Sequence, residues 1–509
     1  MDQIISSQAM RQWEEANFAA GLADPLDLMD IAGSGCAQEF WQYSKRFPDF
    51  RRLVIFAGHG NNGGDGVVIA DTLSKILPQK ILLALALPAE KFSPSSRHFF
   101  KRLPGSVEVV PAADVVLRSG DLIIDALLGT GCRAPLREPY KSLIGQINRS
   151  RLKVFSIDLP SGLGTDVSVK ADMTAVIGGF KDLLFTADGV ENSGALRLVE
   201  LPLELAPSDP GKLFATHAQW YIRTTPPQDR NIHKYQRGSV LVIGGSREYL
   251  QAPFLTARSA LRNGAGLVRL AVPFAVPPAN GTLGVINQTI AAEKGCFTGK
   301  SMTHIQPFMA KTSCIAAGPG MGRECATTEF VAQLLEIPTP LILDADALYH
   351  TAQLLEKLQR RPAPTILTPH WGEAQKLAAG ANSVLPEDPV QAAIMLAKLC
   401  NAAVLLKGAR SVIADPTGKV YLNTSGTPAL ATAGSGDVLT GLIAGEVAQA
   451  GGITTLAQGA LSAARGAFLH GMAGELAQLQ FGSRGVLADD LTEYAARSAA
   501  YLENKLYKQ

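Results

Sequence analysis

Short apolar runs that close on a glycine or an aspartate recur along this chain, and helical stretches lie between them. RLVIFAG (52–58), KILLALAL (80–87), DLIIDALLG (121–129) and KVFSIDLPSG (153–162) read as buried strands, with helices expected over 65–77 and 93–103. DMTAVIGGF and ALRLVEL would add further strands. Strands this apolar face protein on both sides, so the pattern predicts a parallel sheet with helices on each face. From about Ala206 the texture changes to a proline-bearing stretch of little periodicity, read as a linker and entry segment over 211–235. A second series opens at SVLVIGG (239–245) and runs through LVRLAVP, SCIAAGPG, PLILDADAL, TILTPH, AAVLLKG and SVIAD as strands. FLTARSALRNGAG reads as a helix, and DVLTGLIAGEVAQAG and LAQGALSAARGAFLHGMAGELA as late apolar helices. The expected organisation is therefore two α/β domains, 1–210 and 236–509. The halves do not resemble copies of each other.

Composition removes several classes of function. The 509 residues are 47% apolar and 18% charged, with a net charge of +2, so nothing calls for nucleic acid or acidic lipid as a partner. The first residues have no basic region followed by an apolar core, and the longest apolar run is far short of the ~20 residues a membrane helix needs. Six cysteines (36, 132, 296, 314, 325 and 400) are scattered without a C-x-x-C, so no zinc site or disulfide framework is expected, and a reducing cytoplasm is.

The first chemical signal is AGHGNNGGDG (57–66), where Gly58, Gly60 and Gly63 have the spacing of a dinucleotide phosphate loop. Two features resist the redox reading. Asp65 would place like charge beside a phosphate, and no acidic residue clearly ends the second strand, since Glu90 comes late and past a proline. A tight turn with Asp65 starting the helix is the plain alternative. Two more loops change the weighting: Asp125 ends one expected strand, and Asp158 and Ser161 end another. Carboxyl ends of parallel strands converge on one crevice, so Asn61, Asn62, Asp65, Asp125, Asp158 and Ser161 would share it. This oxygen-rich set lacks His and Cys and suits a hard cation. Asn62, Asp125 and Ser161 would hold the cation, and the amides of 61–65 and 129–135 would cradle phosphates.

The second signal is LATAGSGDVLTGLIAG (430–445), in which Gly434, Gly436 and Asp437 turn directly into a helix. Backbone N–H groups at such a start converge on an anion. Asp437 would take a proton from a hydroxyl attacking a phosphoryl group, or else simply cap the helix. Upstream, Lys407 and Arg410 in a Lys-Gly turn would hold nucleotide phosphates, or be surface groups. His370, at a strand end with Glu373 after it, reads as a substrate contact beside GPGMGR (318–323). Asp344 and Asp346 would orient groups or water around magnesium, or be structural.

These residues carry a resemblance. GSREYLQAPFLTARSALRNGAGLV, GPGMG, LTPHWGE, LLKGARSVI and ATAGSGDVLTG resemble the ribokinase-like domain of nucleotide-dependent NAD(P)H-hydrate dehydratases, while GHGNNGGDG, DALLGTG and DLPSG resemble NAD(P)H-hydrate epimerases. Together they are similar to the bifunctional NAD(P)H-hydrate repair family over nearly the whole chain. The resemblance implies a Rossmann-like parallel-sheet domain followed by a ribokinase-like α/β domain. The first would interconvert R and S hydrates of NADH or NADPH; the second would dehydrate the S hydrate with ADP, releasing AMP and phosphate. Carried over by residue, Asn62, Asp125 and Ser161 match potassium ligands. Asn61, Asn62, Gly63, Gly64 and Asp65, then Gly129, Thr130, Gly131, Cys132, Arg133, Ala134 and Pro135, with Asp158, match the epimerase substrate site. Ala252, Gly320, His370 and Asp437 match dehydratase substrate contacts, and Lys407, Gly408, Ala409, Arg410, Ser411 and Gly436 the nucleotide site, which would take ADP with magnesium. Asp437 and Asp158 are the expected catalytic groups, and a homo-oligomer is expected. His59 and Trp371 stand where many relatives have proline, and Asp71 where an arginine is common. The rival readings are a small-molecule kinase of the ribokinase class and a non-catalytic nucleotide-binding sensor.

Overall fold

The computed structural model describes residues 2–205, 211–275, 284–309 and 311–506. It divides into two compact units, Met1–Gly211 and Lys212–Gln509. Residues 206–210, where the texture of the sequence changes, lie outside the described residues.

In the first unit a two-residue strand, β1 (Ile4–Ile5), precedes the helices Ser7–Ala19 and Pro25–Ser44. Then come β2 (Arg52–Ala57), β3 (Lys80–Leu85), β4 (Val107–Pro111), β5 (Asp121–Ala126), β6 (Lys153–Ile157), β7 (Met173–Ile177), β8 (Phe180–Lys181) and β9 (Ala195–Val199). Seven of these form a sheet in the order β4-β3-β2-β5-β6-β7-β9, parallel at every pairing. Strand alternation builds its two cores. Leu53, Ile55 and Ala57 pack with Ala37 and Phe40 of the helix Pro25–Ser44, while Val54 and Phe56 pack with Leu143, Ile144 and Ile147 of the helix Tyr140–Ser150. The chain moves outward from β2 to β4, returns, and continues from β5 on the other side. The crevice beyond the ends of β2 and β5 is therefore a topological switch point, the place where such sheets bind ligands.

Two details depart from the sequence reading. The helix expected from residue 65 begins at Asn61, so the glycine loop is itself the first turn. Gly63 lies directly on the Gly58 carbonyl and Gly64 on Met29 and Ser96, which leaves no space for a Cβ at either. The strand β4 carries exposed residues on an edge, so it lacked the apolar run that marks its neighbours.

The second unit has β10 (Leu213–Thr216), β11 (Ser239–Ile243), β12 (Leu267–Val272), β13 (Val285–Thr289), β14 (Cys314–Ala317), β15 (Leu341–Leu343), β16 (Thr365–Leu367), β17 (Ala403–Leu406), β18 (Val412–Ala414) and β19 (Val420–Asn423). They form one sheet, ordered β10-β19-β18-β17-β16-β15-β14-β11-β12-β13, with β18 antiparallel to both its neighbours. The stretch expected as linker thus contains the edge strand β10 and the helix Ala218–Thr224, whose Trp220 and Tyr221 are buried. The helices Ala252–Arg262, Ser435–Gln449, Leu456–Gly485 and Ala488–Leu506 contribute to a single large core. The loops after β11, β14, β15, β16 and β17 share the carboxyl edge of the sheet. No helix among the described residues is long and apolar enough to cross a membrane.

Candidate active sites

In the first unit, the carboxyl edge opens on a cavity of about 430 Å³. Gly60, Asn61, Asn62 and Asp65 line it from one loop and helix start, and Gly129 to Cys132 from another. Arg133, Ala134 and Pro135 continue that second loop as exposed residues away from the lining, and Gly63 and Gly64 are buried in helix packing. Asp125 and Ser161 sit beneath, both fully buried. Ser161 Oγ donates to Asp125 Oδ1 at 2.5 Å, and Ser156 Oγ and the Ser161 amide donate to Oδ2, each at 2.8 Å. Burial pushes the Asp125 carboxyl up, and these donors oppose it. Asn62 is different: both its amide oxygen and nitrogen are buried without a hydrogen-bond partner. A buried amide without a partner is costly, and a cation taking its oxygen would remove half of that cost.

Asp158 adopts a left-handed φ of 65°, uncommon for any residue but glycine. Strain of this kind gathers at functional sites. Its Oδ1 receives the ammonium of Lys181 in a close ion pair. Lys181 is buried and also donates to Ile177 O at 2.5 Å. The sequence reading missed Lys181; GGFKDLL offers no motif, and only the short strand β8 brings it to the cavity. Asp65 lies in the same lining. Burial first, then the nearby carboxylates of Asp158 and Glu14, push Asp65 well above the usual carboxylate range, against Lys181. His59 holds Tyr140, with Nδ1 and the phenol oxygen 2.6 Å apart.

In the second unit, the helix Ser435–Gln449 starts from Gly434, whose φ of 86° suits glycine alone among common residues. No side chain caps this helix. The capping alternative for Asp437 is therefore not realised; the Ser435 amide donates to Thr432 O at 3.3 Å, and among the described residues the Gly436 and Asp437 amides stay open to an anion. The Asp437 carboxyl makes no hydrogen bond among the described residues. Burial, then the Asp344 carboxylate, push it up to about 7, while Lys407 opposes them.

Lys407 is not an exposed phosphate hook. Its Nζ lies 2.7 Å from Asp344 Oδ1 and 3.8 Å from Glu373 Oε2, beside Gly436. Burial works against its charge, but Asp344 and Glu373 outweigh that and hold its pKa above the usual value. Thr440 Oγ1 donates to the other Asp344 oxygen at 2.7 Å. Arg323 Nε and the Gly322 amide donate to Asp346 at 2.8 and 3.0 Å. Between the two aspartates, Ala345 has a φ of 48°. Gly408 to Ser411 form the turn from β17 to β18, where Arg410 donates to Thr424 O at 2.6 Å. His370 caps the helix Trp371–Gly380: Nδ1 accepts the Gly372 amide at 3.0 Å while Glu373 accepts the His370 amide at 2.8 Å. Its ring is largely exposed and keeps Nε2 toward Glu373, 3.5 Å away. Ala252 begins its helix against Gly320, and Tyr249 packs on the same face of that glycine.

These features define an enzyme with two α/β units, each with its polar site on the carboxyl edge of a sheet. The comparisons name the class. Residues 240–497 match the family described as NAD(P)H-hydrate dehydratase, and residues 25–182 the one described as YjeF-related protein N-terminus. The bifunctional NAD(P)H-hydrate repair enzyme of Moorella thermoacetica is 32% identical, over 99% of this chain and 98% of that protein. Its namesake from Salinibacter ruber is 33% identical, over 98% and 96%. Among solved structures, a Bacillus subtilis ADP/ATP-dependent NAD(P)H-hydrate dehydratase co-crystallised with ATP/Mg2+ is 25% identical, covering 56% of this chain and 97% of that one at a TM-score of 0.42. The chain belongs to the bifunctional NAD(P)H-hydrate repair enzymes.

Proposed function

We propose that the protein repairs hydrated NADH and NADPH, the first unit interconverting R and S hydrates and the second dehydrating the S hydrate with ADP. The observation that carries the dehydratase reading is Asp437: a half-buried carboxyl without a hydrogen-bond partner among the described residues, at a helix start without a side-chain cap that offers N–H groups to a phosphate. Hydroxide is a poor leaving group from the reduced ring. Asp437 takes the proton of the ring hydroxyl, and that oxygen attacks the terminal phosphoryl of ADP. A new O–P bond forms as the bond to AMP breaks. The ring nitrogen's lone pair then forms a C=N bond as phosphate leaves with the C–O bonding pair, and loss of a proton from the adjacent ring carbon restores NAD(P)H. The open amides stabilise charge on the transferring phosphoryl group. Lys407, fixed by Asp344, adds positive charge beside Gly436.

Magnesium would enter with the nucleotide phosphates. Asp344 and Asp346 are committed to Lys407, Thr440, Arg323 and Gly322, so they do not fit as direct ligands, and no step passes through the metal. Potassium fits the first unit better, because Asn62 has an unsatisfied buried amide beside the Gly129 loop. Asn62, Asp125 and Ser161 would hold it, and its charge would favour the substrate's phosphates. Asp158 is the acid–base group of epimerisation. Six free cysteines support a cytoplasmic location.

The product assay separates this reading from a kinase. Repair releases one AMP and one phosphate for each NADH formed, whereas a kinase accumulates a stable phosphorylated product without NADH.

A further inference from the structure

The epimerase reading leaves one wall of the first cavity without a role. The helix Ser7–Ala19 brings Arg11 and Glu14 to the lining. Its seat is specifically built. β1 pairs in parallel with β8, in a register that sets Ile5 against Lys181. Ile5, Met10 and Trp13 are buried together, with the Met10 side chain resting on Gly178. Arg11 Nη2 donates to Thr130 O at 3.1 Å, tying the helix to the second lining loop. Met10, Arg11 and Glu14 share one side of the helix, as residues three and four apart do. Glu14 ends in the cavity with no hydrogen-bond or ion-pair partner among the described residues.

We propose that Glu14 is a catalytic residue of epimerisation, exchanging a proton with the ring hydroxyl while Asp158, ion-paired with Lys181, exchanges one with water on the other face of the ring. This rests on the epimerase reading. In one direction, the Glu14 proton passes to the hydroxyl and the C–O bond breaks. The ring nitrogen's electron pair forms an iminium, and water leaves. Water then adds to the opposite face, and its surplus proton passes to Asp158. Substrate and product are isomers; one proton is given, one is taken, and nothing is oxidised. The reverse reaction starts from the other protonation state, and exchange with solvent resets the pair.

The charged groups facing Glu14 are Lys181, Asp158, Arg11, Glu15 and Asp65. Burial above all, with Asp158 and Glu15, raises the Glu14 carboxyl to about 7 against Lys181 and Arg11. A donor near neutrality is well matched to this task.

The test uses full-length wild type, Glu14→Gln and Glu14→Asp on a hydrate mixture without adenylate. Epimers are separated by chromatography and the uncatalysed interconversion is subtracted. Glu14→Gln is expected to lose about 10²–10⁴-fold in kcat with KM little changed, while Glu14→Asp keeps measurable turnover and the pH limb near 7 that the glutamine variant loses. Wild-type kcat and an unchanged profile in Glu14→Gln overturn the role of Glu14 and leave the epimerase reading standing. A loss confined to KM also overturns it. Absence of catalysed interconversion in the wild type overturns both.

Discussion

At the residue scale, two aspartates of one chain are set to different tasks by their surroundings. Asp158 receives a buried ammonium, whereas Asp437 has burial and a neighbouring carboxylate that favour its proton. Asp437 must lose that proton to act as a base. Dehydration is therefore expected to rise with pH through about 7. Its effect on stability runs the other way. A carboxyl raised in the folded state binds a proton that the unfolded chain releases, so its stabilising contribution is full at low pH and is lost as pH rises through about 7. Asp437→Asn should thus cost about 10²–10⁴-fold in dehydration kcat, leave epimerisation intact, and raise the melting temperature at pH 8. Steady-state kinetics and thermal melts at several pH values check both halves. Asp437 was legible because its glycine turn and helix are contiguous in sequence. Lys181 and Glu14 were not. Each is a charge in a stretch without a motif, and the pairing of β1 with β8 brings them together.

At the element scale, small residues decide how closely helices approach. Gly441 lets the helix Ser435–Gln449 rest on Ala252–Arg262: a Cβ there would run into the Thr256 carbonyl and lie 2.7 Å from Ser259 Cβ. Gly441→Ala is expected to cost about 1–3 kcal/mol, read by denaturant unfolding. A buried network fixes the other end of that helix. Arg465 Nη2 lies 2.6 Å from Glu446 Oε2, while Tyr221 and Asn263 donate to Oε1 at 2.9 and 3.2 Å. Arg465→Ala would strand the Glu446 charge and destabilise by about 3–5 kcal/mol. The buried strands were readable because apolar runs between glycine turns have few other uses. The start of the helix at Asn61 was not, since glycine propensity argues against a helix while close packing against Gly58 and Met29 demands glycine. The edge strands β4 and β10 lack strong apolar patterns, and long-range pairing defines them.

At the scale of the whole molecule, two folded units carry two chemistries with different requirements. Exchanging potassium for choline should slow epimerisation without a matching effect on dehydration of pure S hydrate, and Asn62→Ala should abolish the potassium response. Parallel assays of the two activities across a potassium titration would show it. In the proposed dehydration a hydroxyl leaves the ring only after accepting a phosphoryl group from ADP. The direct measurement is the rate at which reduced-nicotinamide absorbance returns from S hydrate, with and without ADP. Absorbance is expected to return only with ADP, matched by AMP and phosphate. Equal rates of return in the absence of any adenylate would contradict it.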